Sequence, residues 1–305
     1  MVPVQVYDQK TESKPTAGAF FLPKNPTLAD ERTVAFVMRT SLGGYSLGIP
    51  YSDTYILRAK SGKAKFCNVS KKTRKVCAPE DLVSELTFTY SDTYRGVLVG
   101  RAVPLRTGEL SYELVRRSDG LVIAESAVMQ VSLPSDIASA KTYRTEVIRA
   151  LERGLFRTKS GRLLPDWELK GKQAKEIVGN VLGYAYLKSG DNRALKQKFL
   201  QIIVKWNEGV GTIGDYETVS RGRFAKLLMD ALSDPRDIET SGKKWVDERG
   251  NYEAEMRTLR VRDGFAWRDG FGDRYFQPDK TLTIEEALYF ADFSLESVLG
   301  RAGLQ

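Results

Sequence analysis

The sequence predicts a multidomain chain of α and β structure, with an N-terminal antiparallel β-sandwich followed by a mostly helical module of three repeats. Three observations carry this expectation. Between Thr33 and Ser132, short runs rich in β-branched and aromatic residues alternate with turn residues, about seven runs in 100 positions. Beyond Pro134-Ser135-Asp136, apolar residues recur at helical spacing instead. A short phrase that leads from a turn into a helix then occurs three times, and repetition at tens of residues marks supersecondary units that share one core.

Taken in chain order, residues 1–30 are rich in Pro, Lys, Thr and Ala and read as an extended N-terminal arm, able to complete a neighbour's sheet by strand addition. Candidate strands of the β-sandwich domain (31–136) are Thr33–Arg39, Thr54–Ala59, Ala64–Asn68, Ser84–Tyr90, Gly96–Ala102, Leu110–Arg116 and Leu121–Ser132. Leu86, Phe88 and Tyr90 alternate with Thr87 and Thr89, as in a strand with one buried face. Ser118-Asp119-Gly120 forms a turn that makes a hairpin of the last two strands. Strands spaced in this way resemble an immunoglobulin-like sandwich, and the same spacing also fits a barrel. In the second half, Val147, Ala150 and Leu151 keep helical spacing and Gly154 supplies a stop. Further helices are expected over Lys172–Leu187, Arg193–Trp206, Arg221–Leu232, Tyr252–Leu259 and Ile284–Leu299.

Composition narrows the function. The 305 residues are 42% hydrophobic and 28% charged, which is typical of a globular chain large enough for two domains. No stretch approaches the roughly 20 apolar residues that a membrane helix needs, so direct membrane insertion is not expected. The N-terminus has neither a basic n-region nor an apolar h-region, so an exported protein would correspond here to a form with its signal removed. Histidine is absent, which removes the commonest general base, the commonest metal ligand and every His-based triad. With two cysteines, thiolate metal sites are poor as well. We therefore expect no catalytic activity and no cofactor or metal. The net charge of +8 is spread evenly, because residues 1–140 hold 18 Lys/Arg against 14 Asp/Glu and so carry +4 of it. Nucleic-acid binding calls for a concentrated stripe and is not expected. A diffusely basic surface suits an anionic polymer.

Cys67 and Cys77 flank a basic loop, at a spacing that fits facing strands of a hairpin. A disulfide between them would imply an oxidising, extracytoplasmic location.

The repeated phrase reads Leu164-Pro165-Asp166-Trp167-Glu168-Leu169-Lys170-Gly171-Lys172-Gln173-Ala174 in its first copy. The second is Asp215-Tyr216-Glu217-Thr218-Val219-Ser220-Arg221-Gly222-Arg223-Phe224-Ala225, and the third Gln277-Pro278-Asp279-Lys280-Thr281-Leu282-Thr283-Ile284-Glu285-Glu286-Ala287. Pro-Asp makes the turn, with Asp166 and Asp279 bonding amides where the chain reverses. Ser220 and Thr283 stand where a helix N-cap belongs, and Glu286 follows Thr283 as in a capping box. Leu169, Val219 and Leu282 plug the core beneath.

With Trp245-Val246-Asp247 and Arg262-Asp263-Gly264-Phe265 ahead of the third copy, and Val147-Ile148-Arg149-Ala150-Leu151 ahead of the first, residues 138–300 resemble three tandem S-layer homology (SLH) domains, at about 138–187, 188–236 and 243–300. The resemblance implies a pseudo-threefold module, spanning 137–305, whose inter-repeat grooves bind anionic cell-wall glycan or peptidoglycan. It also implies that the Arg following the cap anchors the anion. Arg221 alone occupies that position; Gly171 and Ile284 replace it elsewhere, and Gln173 and Arg223 replace the usual Glu. Candidate glycan-binding residues are Arg221, Ser220, Arg223, Trp167 and Trp267. Two roles follow for a secreted cell-surface protein: attachment to the wall with the β-sandwich facing outward, or service as a structural subunit of a surface layer, filament or other assembly, in which the repeats pack rather than bind glycan. Self-association and other surface proteins are the remaining partners expected.

Overall fold

The computed structural model describes residues 2–3, 19–22, 26–37, 53–68, 82–93, 97–190, 192–209, 213–232, 246, 250–262 and 275–301. It contains helices and antiparallel sheets, divided into two compact units. One comprises Met1–Ser135 with Arg157–Arg162, the other Asp136–Phe156 with Leu163–Gln305.

Among the described residues, the first unit holds ten strands: β1 (Val2–Pro3), β2 (Ala19–Leu22), β3 (Arg32–Val37), β4 (Thr54–Ser61), β5 (Ala64–Asn68), β6 (Glu85–Thr89), β7 (Val97–Pro104), β8 (Gly108–Arg116), β9 (Val122–Glu125) and β10 (Met129–Val131). One sheet runs β1-β2-β3-β7-β5 and the other β10-β8-β4-β6, with β9 also on β8. Period-2 alternation puts Tyr55 and Leu57 of β4 and Leu86 and Phe88 of β6 inward. The Phe66 ring of the first sheet meets Tyr112 of the second edge-on at 5.3 Å, and Phe20 meets Phe36 at 4.9 Å. Gly62, with φ +74°, turns β4 into β5, where a Cβ would lie 2.5 Å from the Glu109 carbonyl. Phe66 and Val83 exchange both backbone hydrogen bonds, at 2.7 and 2.9 Å, linking the two sheets along one side.

Two sequence expectations are corrected here. The described parts of the 1–30 arm fold back onto their own unit: β2 pairs with β3, Phe20 and Leu22 are buried, and residues 26–30 are buried against Ser132 and Pro104. The run Leu121–Ser132 is two strands rather than one. Ser126 breaks it by taking the Tyr112 amide on its Oγ at 2.7 Å and giving its own amide to the Tyr112 carbonyl at 2.8 Å.

The second unit holds α1 (Arg144–Glu152), α2 (Gly171–Lys188), α3 (Arg193–Gly209), α4 (Arg221–Leu232), α5 (Glu253–Arg262) and α6 (Ile284–Arg301). Helices α2, α4 and α6, each of which begins at a copy of the repeated phrase, pack on one another. Each remaining helix packs on the phrase-helix of the preceding repeat: α3 on α2, α5 on α4, and α1 on α6, which closes the circle. The core lies among the inner three, with Ile177, Val181, Phe224, Leu228, Leu288 and Phe290 fully buried.

Candidate functional site

The three copies of the phrase meet. Leu169 donates its amide to the Leu282 carbonyl (2.8 Å), Leu282 to Val219 (3.0 Å), and Val219 to Leu169 (3.0 Å). Two residues on, Gly171, Arg221 and Ile284 donate to Glu217, Lys280 and Trp167 at 2.8–2.9 Å. One residue further, Lys172, Gly222 and Glu285 donate to Asp215, Pro278 and Pro165 at 2.8–3.0 Å. Nine backbone bonds thus repeat around a pseudo-threefold axis. Six of them use the first two amides of each phrase-helix, groups that otherwise wait for water, a cap or an anion.

The caps complete this. In the third copy the box is reciprocal, with Glu286 N on Thr283 Oγ1 (3.2 Å) and Thr283 N on Glu286 Oε2 (3.3 Å). The second keeps only the forward half, Arg223 N on Ser220 Oγ at 3.4 Å, and the first only the reverse half, Lys170 N on Gln173 Oε1 at 3.0 Å. Leu169, Val219 and Leu282 are fully buried, and Pro165 is buried while Pro278 is half-buried. Asp166 and Asp279 are exposed, and the turns are closed by backbone instead. Trp167, Glu217 and Lys280 donate to Leu164, Gly214 and Gln277 at 3.0–3.1 Å. Leu164 and Gln277 sit at φ +60° and +55° to make these turns.

Arg221 is 3% exposed. Its guanidinium donates to Glu286 Oε1 at 2.7 Å and to the Phe276 carbonyl at 3.1 Å, clamping the second phrase-helix to the third. The charge that sequence reading offers to a ligand is therefore matched within the unit. Arg223 pairs with Glu217. Gly171 and Gly222 are required by close approach, because a Cβ would come within 2.0 Å of the Gly214 carbonyl and 2.3 Å of the Tyr252 ring. On the rim, Trp167 is 63% and Tyr216 92% exposed. Glu168 and Asp215 are held below the usual carboxylate range by Lys170 and Lys175. Trp267 lies outside the described residues, as does Cys77; Cys67 is buried in β5.

The α1–α6 closure has features that sequence reading missed. Glu285 Oε1 accepts the Thr142 and Tyr143 amides at 2.9 and 2.7 Å, capping α1 from another repeat. Tyr143 stacks on Tyr289 at 4.0 Å. Fully buried Asp292 accepts from Arg149 Nε at 2.7 Å and from Arg153, which also reaches Glu296. Burial pushes the Asp292 carboxyl up, against the pull of the two arginines. The signal in the sequence was a pair of arginines four apart, Arg149 in α1 and Arg153 just past its end, and their partners lie more than 130 positions away.

Among the described residues, no group of three His, Cys, Asp or Glu is placed to hold a metal ion, and no helix is long and apolar enough to cross a membrane. Neither a family model nor a curated protein matches the sequence.

Proposed function

We propose that this chain is a non-catalytic structural protein of the cell surface, in which three SLH-like repeats form a packing platform and the two sheets form an immunoglobulin-like β-sandwich that faces outward. One observation carries the reading: the backbone ring and the buried Arg221–Glu286 pair already consume the helix-start amides and the guanidinium that an anionic glycan would need. What is left is a rigid module with its termini satisfied internally, suited to assembly. The test is the state of the purified chain by light scattering and electron microscopy, together with sedimentation on purified cell wall. An ordered polymer that ignores wall supports the proposal; a monomer that pellets with wall sinks it.

Wall attachment is the second reading, and the exposed Trp167 and Tyr216 favour it, since aromatic faces stack on sugars. It requires that Trp167→Ala and Tyr216→Ala lose sedimentation with wall while keeping the fold. Secretion and a Cys67–Cys77 disulfide belong to both readings. Thiol titration of the unreduced, unfolded protein should then find no free thiol, and two free thiols would remove the redox argument for export.

A further inference from the structure

Strand β5 alternates as a sheet requires. Ala64 and Phe66 are buried toward the second sheet, so Lys65 stands on the opposite face, directly across from Val103 of β7. A lysine on the outer face of a sheet ordinarily lays its stem on the strand and keeps its ammonium in water. Lys65 departs from that pattern. It is half-buried, and Val103 and Cys67, its neighbours on the same face, are buried. Among the described residues its ammonium has neither a hydrogen bond nor an ion pair.

The charges beside it have its own sign. Lys63, two residues earlier and exposed, repels it. Arg101 lies on the same face of β7, opposite Cys67, and stands 3.7 Å from Glu31, a carboxylate that Arg157 also holds at 2.8 Å. On β4 and β6, the other strands packed on β5, the charged residues belong to pairs of their own, Arg58 with Glu85 and Glu113 and Lys60 with Glu125. Burial first, and the Lys63 charge second, hold the Lys65 amine below the ordinary lysine range. Desolvation and a neighbouring cation are the two means by which proteins turn a lysine into a nucleophile.

A neutral amine adds to the carbon of an aldehyde or ketone. Both amine protons then leave with the carbonyl oxygen as water, an imine remains, and hydrolysis reverses the step without an oxidant or a further reactant. The half-buried position admits a small carbonyl compound, and the adjacent Lys63 favours one that carries a carboxylate.

We infer that Lys65 is a nucleophilic lysine that takes up small anionic carbonyl compounds, such as 2-oxo acids, as a reversible imine, with the Lys63 ammonium on the ligand's carboxylate. The outer face of β5 is then a covalent attachment point. The inference does not rest on the assembly proposal, because it uses nothing of the repeated phrase.

The test is incubation of the full chain with glyoxylate at neutral pH, reduction of the imine with cyanoborohydride, and peptide mapping by mass spectrometry. Lys65 should be labelled about tenfold faster than the exposed Lys141 and Lys159, and its rate should level off at a lower pH than theirs. Lys63→Gln removes both the repulsion and the carboxylate's partner, so more of Lys65 stays an ammonium and its labelling should slow. Uncharged glycolaldehyde should favour Lys65 over Lys141 less than glyoxylate does. Three outcomes overturn the inference: labelling of Lys65 no faster than of the exposed lysines, an unchanged rate in Lys63→Gln, or a preference for Lys65 that is equal with the two aldehydes.

Discussion

Arg221 is the residue whose type and position suggested a ligand and whose surroundings supply an internal partner instead. Removing one member of a buried pair strands the other, so Arg221→Ala should cost about 3 kcal/mol, read as a shift in the urea midpoint. Replacing both members, as Arg221→Met with Glu286→Gln, should cost less than the single change. At the phrase turns the backbone sets the sign. Gly171→Ala should be strongly destabilising, since the new methyl meets a carbonyl at 2.0 Å. Gln277→Gly should be neutral or stabilising by up to about 1 kcal/mol, because the residue already pays for a left-handed conformation. In the sheet unit, the Arg116 guanidinium lowers the exposed Asp119 carboxyl to about 2. A folded value below the unfolded one stabilises above the ordinary carboxyl range and is lost as pH falls toward 2. An NMR titration should place the Asp119 midpoint near 2, moving to the usual range in Arg116→Ala and in high salt.

The three phrase-helices start with the same geometry and different chemistry. Each keeps a different portion of the capping box, so Thr283→Ala and Ser220→Ala should each cost about 1 kcal/mol, whereas Lys170→Ser should gain a few tenths to 1 kcal/mol. Thermal melts of the three variants check this, and a loss in Lys170→Ser would show that the Lys170 contacts to Glu168 and Thr218 outweigh a cap. The same contrast explains what sequence could reveal. Helix α4 begins at Arg221 and ends at Leu232, and β5 spans Ala64–Asn68, both as expected, because periodicity and turn residues are local signals. The break at Ser126 was hidden, since it depends on a partner strand. The partners of Arg221, Glu285 and Asp292 were hidden for the same reason, lying 55 to 143 positions away. Asp166 and Asp279 stand within the expected Pro-Asp turns, but the bonds that close those turns, from Trp167 to Leu164 and from Lys280 to Gln277, are backbone rather than the expected side-chain bonds.

Across the whole helical unit, every repeat depends on the next. Helix α1, early in the chain, is capped and charge-matched by α6 at its end. The unit should therefore unfold as one cooperative transition rather than repeat by repeat, as an open array would. Deleting 275–301 should collapse protection of the Leu169 and Val219 amides together in hydrogen exchange. Independent survival of the first two repeats would contradict the closed arrangement.

The threefold ring joins only peptide groups, so it is indifferent to which side chains the three copies carry, provided that small residues stay where backbones touch. Drift in the exposed positions then leaves the architecture intact. The position after the cap is Gly171, Arg221 and Ile284 in the three copies, and the joint between them is the same at each. Loss of resemblance among the copies is thus a freedom conferred by how they are joined.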